Sequence, residues 1–276
     1  MALADYPTLK SKMDYPTQKF GVVKQFVTVG PSLGSYVHTL WRATGTPAQG
    51  GVPAASAVCD RATVGALGQG NPSSGDLRAW FQRLTVNYLT GSSSGCGVQL
   101  VDRLVHMGGL DGTNTGAQTV STSALTRYTT GAGVMAAVEI YTAVGSTPQT
   151  FTCSYTDDAG NAGQTSLPVE IGNTGRSAAL RLLPMSLAAG DIGVRAVSTL
   201  TLSGSTGTAG NFGVTLYKPL SPIIPLQSGV SGAAHPIFDM GGFVPLINTD
   251  ACLTWLLYCS GSLTAVTAMS ADFLES

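Results

Sequence analysis

The feature that most constrains this chain is alternation of apolar and polar residues over one short segment after another. A period of two is what a half-buried strand demands, because successive side chains leave a strand on opposite sides. Across 79–89, Trp80, Leu84, Val86 and Tyr88 share one side, opposite Arg83, Thr85 and Asn87. Across 134–144 the shared side carries Val134, Ala136, Val138, Ile140 and Val144, and across 150–156 Phe151, Cys153 and Tyr155 alternate with Thr and Ser. Segment 194–202 puts Val194, Ala196, Leu200 and Leu202 inward, and 211–217 groups Phe212, Val214 and Leu216. Shorter segments at 98–106, 164–171, 178–183 and 263–269 behave alike. Many short strands without a convincing helix predict an all-β fold, a sandwich or barrel, and the architecture expected over 28–276 is a jelly-roll-like antiparallel β-sandwich.

The connections agree with that reading. Asp157-Asp158-Ala159-Gly160-Asn161 follows a strand with residues that tolerate positive φ, as a tight hairpin requires. The Gly/Ser runs at 91–97 and 204–210 are turns of the same sort. Two long connections, near 43–75 and 221–250, lack alternation and are rich in Gly, Ala and Pro. Loops of that length usually carry function or cover another surface, so they are expected to supply subunit contacts. Segment 252–259 is apolar on both sides, with Leu253, Trp255 and Leu257 opposite Leu256 and Tyr258. It suits either a central strand covered on both faces or a strand at a subunit interface.

The N-terminal segment is a different material. Four of the five lysines, Lys10, Lys12, Lys19 and Lys24, lie in it, and DYPT occurs twice. Each proline holds the preceding tyrosine in extended conformations and interrupts any helix. Residues 1–27 are therefore expected to form an extended N-terminal arm that docks on a neighbour. The expected subunit contacts are Tyr6, Pro7, Tyr15, Pro16 and Phe20 in the arm, and Trp255 in the doubly apolar strand.

Composition narrows the function classes. Of the 276 residues, 43% are hydrophobic and 11% are charged, with 14 basic and 15 acidic side chains. So few charges argue against disorder and suggest that much of the surface is covered by another protein. The balance of charge provides no basic footprint for nucleic acid. No apolar stretch approaches the ~20 residues of a membrane-spanning helix, and the first residues lack the apolar centre of a secretory signal. The chain is expected to be made in a host cytoplasm, where Cys59, Cys96, Cys153, Cys252 and Cys259 read as buried reduced thiols. Cys252 and Cys259, seven apart, would face opposite sides of one strand.

Motifs for chemistry are weak. Gly30-Pro31-Ser32-Leu33-Gly34 and the run at 91–95 match G-x-S-x-G, but neither opens a helix as a nucleophile elbow must. His38, His106 and His235 are far apart and form no metal-ligand spacing. Asp157-Asp158 sits in a predicted turn without the spacing of a calcium loop. A carboxylate pair such as Glu139 and Glu170 has no positive support from the pattern. The glycine-rich run at 207–213 lies between strands rather than before a helix, so it reads as a turn. The chain is expected to be no enzyme and to use no cofactor and no metal.

Ser154-Tyr155-Thr156 before a D/N-x-A-G turn, Gly190-Asp191 through Gly193-Val194-Arg195, and the run at 205–213 carry a resemblance. Together with 251–260, they are similar to a virion structural protein that recurs in tailed bacteriophages. The resemblance covers a little under half of the chain and implies a particle component without catalytic residues. It implies a decoration or cement subunit on the head surface, whose partners are the major capsid protein and copies of itself. A tail, neck or host-recognition subunit is the alternative, in which Tyr36 or Trp41 would offer an aromatic surface to glycans. A hydrolase rests on the G-x-S-x-G matches alone.

Overall fold

The structure, a computed structural model, describes residues 18–27, 36–68, 77–78, 84–88, 96–226, 232–234, 246–259 and 264–275. No helix occurs among the described residues, and the strands pair antiparallel. In chain order they begin with β1 (Gln18–Val27), β2 (Tyr36–Thr39), β3 (Thr44–Thr46), β4 (Ala57–Val58) and β5 (Leu77–Arg78). Next come β6 (Leu84–Tyr88), β7 (Cys96–Leu110), β8 (Gln118–Thr119), β9 (Met135–Thr142) and β10 (Gln149–Asp157). They continue with β11 (Gln164–Thr165), β12 (Val169–Ile171), β13 (Arg181–Pro184), β14 (Val194–Leu202) and β15 (Asn211–Pro219). The last are β16 (Ile224–Leu226), β17 (Gly232–Ala234), β18 (Leu246–Ile247), β19 (Leu253–Cys259) and β20 (Thr264–Glu275).

Hydrogen bonding closes one sheet on itself. The order β15-β9-β13-β2-β19-β7 returns to β15, because β15 pairs with both β9 and β7. A closed sheet of this size has an interior that side chains fill. A second sheet, β11-β10-β14-β8 with β12 on β10, lies against the outside of the β7, β9 and β15 wall. A third sheet, β17-β6-β20-β1-β3, is joined by β5 and β18. Residues 18–27 of the expected arm are thus a strand of the chain's own third sheet, paired with β20 from Gln18↔Phe273 to Val27↔Thr264. Residues 1–17 lie outside the described residues.

Two cores follow from the two faces of one wall. On the outer face Val138, Ile140, Phe212, Val214 and Leu216 meet Phe151, Cys153, Tyr155, Val197 and Leu200. On the inner face Val101, Ala137, Leu182, Tyr217 and Leu256 fill the barrel. The strand β9 is consequently buried at every position from Ala136 to Tyr141, whereas β10 alternates between buried and half-buried residues. Each fully enclosed Phe or Leu contributes roughly 1.5–3 kcal/mol of hydrophobic stabilisation.

One predicted inward residue is out of phase. Val197, not Ala196, is buried in β14, and Ala196 is half-buried. The register against β10 shifts between Ser154↔Thr199 and Tyr155↔Val197, so Ser198 is an extra residue that flips the alternation.

Candidate functional site

The most polar part of the interior is built where β7, β9 and β15 line the barrel. Arg103 is 1% exposed, and its Nη2 donates to Glu139 Oε2 at 2.6 Å. The same carboxylate oxygen accepts from Thr215 Oγ1 at 2.5 Å and from Tyr141 Oη at 3.3 Å. Arg103 Nε donates to His106 Nδ1 at 3.2 Å, and the guanidinium lies 4.5 Å from the Trp41 ring centroid. Trp41 meets His106 edge-on at 5.8 Å between ring centroids. Alternation explains the grouping: positions 103, 139 and 215 belong to the inward face, where a charge must find a partner.

A cap holds Trp41 in place. It sits just after β2 with its N–H bonded to Thr39 Oγ1 at 3.2 Å, while Gly50 N–H donates to the Trp41 carbonyl at 2.8 Å. A Cβ on Gly50 would stand 2.3 Å from the indole, so the loop backbone lies directly on the ring.

A second ion pair stands on the adjacent position of β7. Arg127 grips Asp102 with a fork, Nε to Oδ2 at 2.9 Å and Nη2 to Oδ1 at 2.8 Å. Arg127 Nη2 also donates to the Cys59 carbonyl at 2.8 Å, and Cys252 N–H donates to Asp102 Oδ1 at 2.9 Å. The Asp102–Arg127 pair therefore joins the loop after β4, β7 and the entry to β19, the first through the guanidinium and the last through the carboxylate.

Burial and neighbours set the charges. Burial opposes the charged form of Arg103, but Glu139 first and Tyr141 next reverse that and raise its pKa. Burial pushes Glu139 up, and Arg103 outweighs it, holding the carboxyl below its ordinary value. Burial raises Asp102 against the pull of Arg127. His38 falls to about 3, through burial and then the positive charge of Arg181. Burial alone pushes the Cys153 thiol to about 12. Among the described residues, no group of three or more His, Cys, Asp or Glu side chains could hold a metal ion.

The outer surface offers a different kind of site. Segment 184–192 contributes residues to two grooves. One, of about 340 Å³, is lined by Val37, Glu170, Arg176, Leu182 and Pro184. The other, of about 420 Å³, is lined by Met135, Met185, Leu187, Asp191 and Ile192. Beside them Ile192 is 68% exposed, Leu167 55% and Met135 37%. The loop after β3 carries a second exposed apolar group, Val52, Val58 and Val64, with Val64 at 62%.

The residues singled out by sequence fall in several places. Tyr6, Pro7, Tyr15 and Pro16 lie outside the described residues, as do Ser32, the run at 91–95 and His235. Phe20 is on β1, at the register position opposite Ala271. Trp255, expected among the subunit contacts, is 1% exposed and enclosed by its own chain, because β19 is a central strand between β2 and β7. Trp41 is likewise buried, so it presents no aromatic face to a glycan. Glu139 and Glu170 do not converge: the first pairs with Arg103 inside the barrel and the second with Arg176 on the surface. Asp157 closes the expected turn by accepting the Asn161 N–H at 2.7 Å. The buried ion pairs were not anticipated. Their signal was a charge inside an apolar strand, as in Val138-Glu139-Ile140 and Val101-Asp102-Arg103-Leu104.

No protein-family model matches the chain, and no curated protein matches it. Among solved structures it is similar to the "Structure of infectious bursal disease virus Gx strain", at 11% identity and a TM-score of 0.22, over 93% of this chain and 80% of that one. It is similar also to the "Crystal structure of infectious bursal disease virus VP2 subviral particle", at 10% identity and a TM-score of 0.21, over 98% of this chain and 86% of that one.

Proposed function

We propose that this chain is a structural protein of a virus particle, a decoration or cement subunit that binds the major capsid protein of a tailed phage and copies of itself at the head surface. The observation that carries the reading is the set of exposed apolar side chains on two segments of an all-β body. Met135 and Leu167 lie beside the 184–192 segment, which carries Ile192 itself, and Val52, Val58 and Val64 stand on the segment after β3. Grouped exposed apolar residues mark contact surfaces, and the low charge content leaves little to keep such surfaces apart. The sequence resemblance to a virion structural protein points the same way. The mechanism is area: modest contacts, roughly 1,600 Å² each, repeated by the symmetry of the shell. In this reading the subunit carries out no catalysis.

Copy number tests the assignment. A decoration subunit is present at hundreds of copies per particle, measured by quantitative gel densitometry of purified virions, and stripping it lowers the temperature at which the shell opens. Single- or double-digit copies would assign the chain to the tail or neck instead. Ile192→Asp with Val64→Asp should reduce occupancy of stripped shells at least tenfold while leaving the subunit folded.

A further inference from the structure

We propose that Cys59 and Cys252 are an oxidation site, a pair of thiols placed to form a disulfide that ties the long loop to the barrel. The backbone register sets the placement. The strands β4 and β19 lie end to end along one edge of β7, with Val58 opposite Val105 and Leu253 opposite Asp102. Continuing each by one residue brings Cys59 to Leu104 and Cys252 to Arg103, and both steps are hydrogen-bonded: Cys59 N–H to the Leu104 carbonyl at 2.8 Å, Arg103 N–H to the Cys252 carbonyl at 2.8 Å. The two cysteines thus stand opposite consecutive residues of β7, on either side of the break between β4 and β19, where the alternation of one continuous strand does not bind them.

The side chains share the site. Cys59 and Cys252 pack in one cluster with Trp41 and Ala66, and both are 0% exposed. The Cys252 thiol is the strongest influence on Cys59, drawing its pKa down, with His106 and Arg103 acting in the same sense, while the Cys252 thiol is raised. Such asymmetry suits sequential chemistry, in which the more acidic thiol reacts first. With hydrogen peroxide as oxidant, the Cys59 thiolate attacks one oxygen, the O–O bond breaks, and hydroxide leaves to yield a sulfenic acid. Cys252 sulfur then displaces the sulfenic hydroxyl. Two thiols and one peroxide become one disulfide and two waters. Reagent reaches the pair through opening of the loop that carries Val58 and Val64, both solvent-facing.

The cross-link would matter outside the cell, where a released particle meets an oxidising medium. It would fix the exposed loop to β19 after assembly.

The test is disulfide mapping of the intact full-length chain. The folded protein is treated with hydrogen peroxide, denatured, alkylated and digested without reduction, and linked peptides are identified by mass. The expected result is a major species joining the peptide that contains Cys59 to the one that contains Cys252, lighter by two hydrogens. Because Cys259 shares a tryptic peptide with Cys252, the link must survive Cys259→Ser and disappear in Cys252→Ser. In the wild type, oxidation should also raise the thermal midpoint, a rise absent from Cys252→Ser. Full alkylation of Cys59 and Cys252 after oxidation overturns the proposal, as does a link from either to another cysteine. Cys96 and Cys259, which face each other in the β7–β19 register, supply an internal comparison in the same digest.

Discussion

Replacing Glu139 with glutamine should be among the most damaging single changes the interior can suffer. The substitution keeps the shape and removes the charge that Arg103 meets at 2.6 Å. At an effective dielectric of about 20, unit charges at that distance attract by roughly 6 kcal/mol. Desolvation of two ions offsets most of that in the intact pair, which is why such pairs add little net stability. Once one partner is gone the offset is lost. Arg103, 1% exposed, keeps its charge with a hydroxyl, an imidazole and the Trp41 face for company. Glu139→Gln should therefore lower unfolding stability by about 3–5 kcal/mol, and Arg103→Met by a similar amount. The double variant removes both charges, so it should cost less than the sum of the singles by at least about 2 kcal/mol. Urea titration of the four proteins, compared at a common slope, measures this cycle. Single variants each costing under about 1 kcal/mol, or an additive double, would refute the claim that the two charges depend on one another.

Three further outcomes follow from the same geometry. His38 is neutral when folded, with its pKa at about 3 against 6.5 when unfolded, so the unfolded chain binds the extra proton between those values. Stability should thus fall as pH drops from 6.5 toward 3, by about 2 kcal/mol between pH 7 and 5 for this group, and His38→Gln should remove that part of the slope in urea midpoints taken at the two pH values. Gly50→Ala would drive a methyl into Trp41 and should cost about 1–3 kcal/mol, whereas Gly51→Ala, with nothing within 4 Å, should stay within about 0.5 kcal/mol in the same denaturation assay. Phe151→Ala, emptying a 0%-exposed position between the sheets, should cost about 3–5 kcal/mol by thermal or urea unfolding, while Ile192→Ala should leave stability within about 0.5 kcal/mol.

Alternation carried the architecture as far as local pattern can. Phe151, Cys153 and Tyr155, and likewise Phe212, Val214 and Leu216, are each buried together as their alternation predicts, because each face is written into nearby residues, and the structure joins the two trios in one core. A barrel was one of the two architectures the pattern allowed, but the pairing that closes it was not legible. It depends on β15 pairing with β7 as well as β9, a contact between 212–219 and 101–110 that no local pattern encodes. For the same reason Glu139 and Thr215 read as the solvent side of their strands, although both line the barrel. The phase error at Ala196 has a smaller cause, an extra residue opposite a continuous strand. Trp255 left two readings open, and its place between β2 and β7 decides for the central strand.

Those hidden charges bear on how one register is chosen over its neighbours. Asp102 and Arg103 are consecutive on β7, so they leave the strand on opposite sides, each to its own partner, Arg127 or Glu139. Slipping β7 by one residue in one direction would set the Asp102 carboxylate where Glu139 waits, and in the other direction the Arg103 guanidinium before Arg127. Apolar neighbours such as Val101 and Leu104 would tolerate that slip far better, since one aliphatic side chain replaces another at modest cost. The two pairs add little as net stabilisation, yet they make the wrong register expensive by placing like charges together out of water. In a chain this short of charge, the two interior ion pairs are expected to favour one register of β7, and exchanging Asp102 with Arg103 should destabilise the fold by more than removing all four charges does.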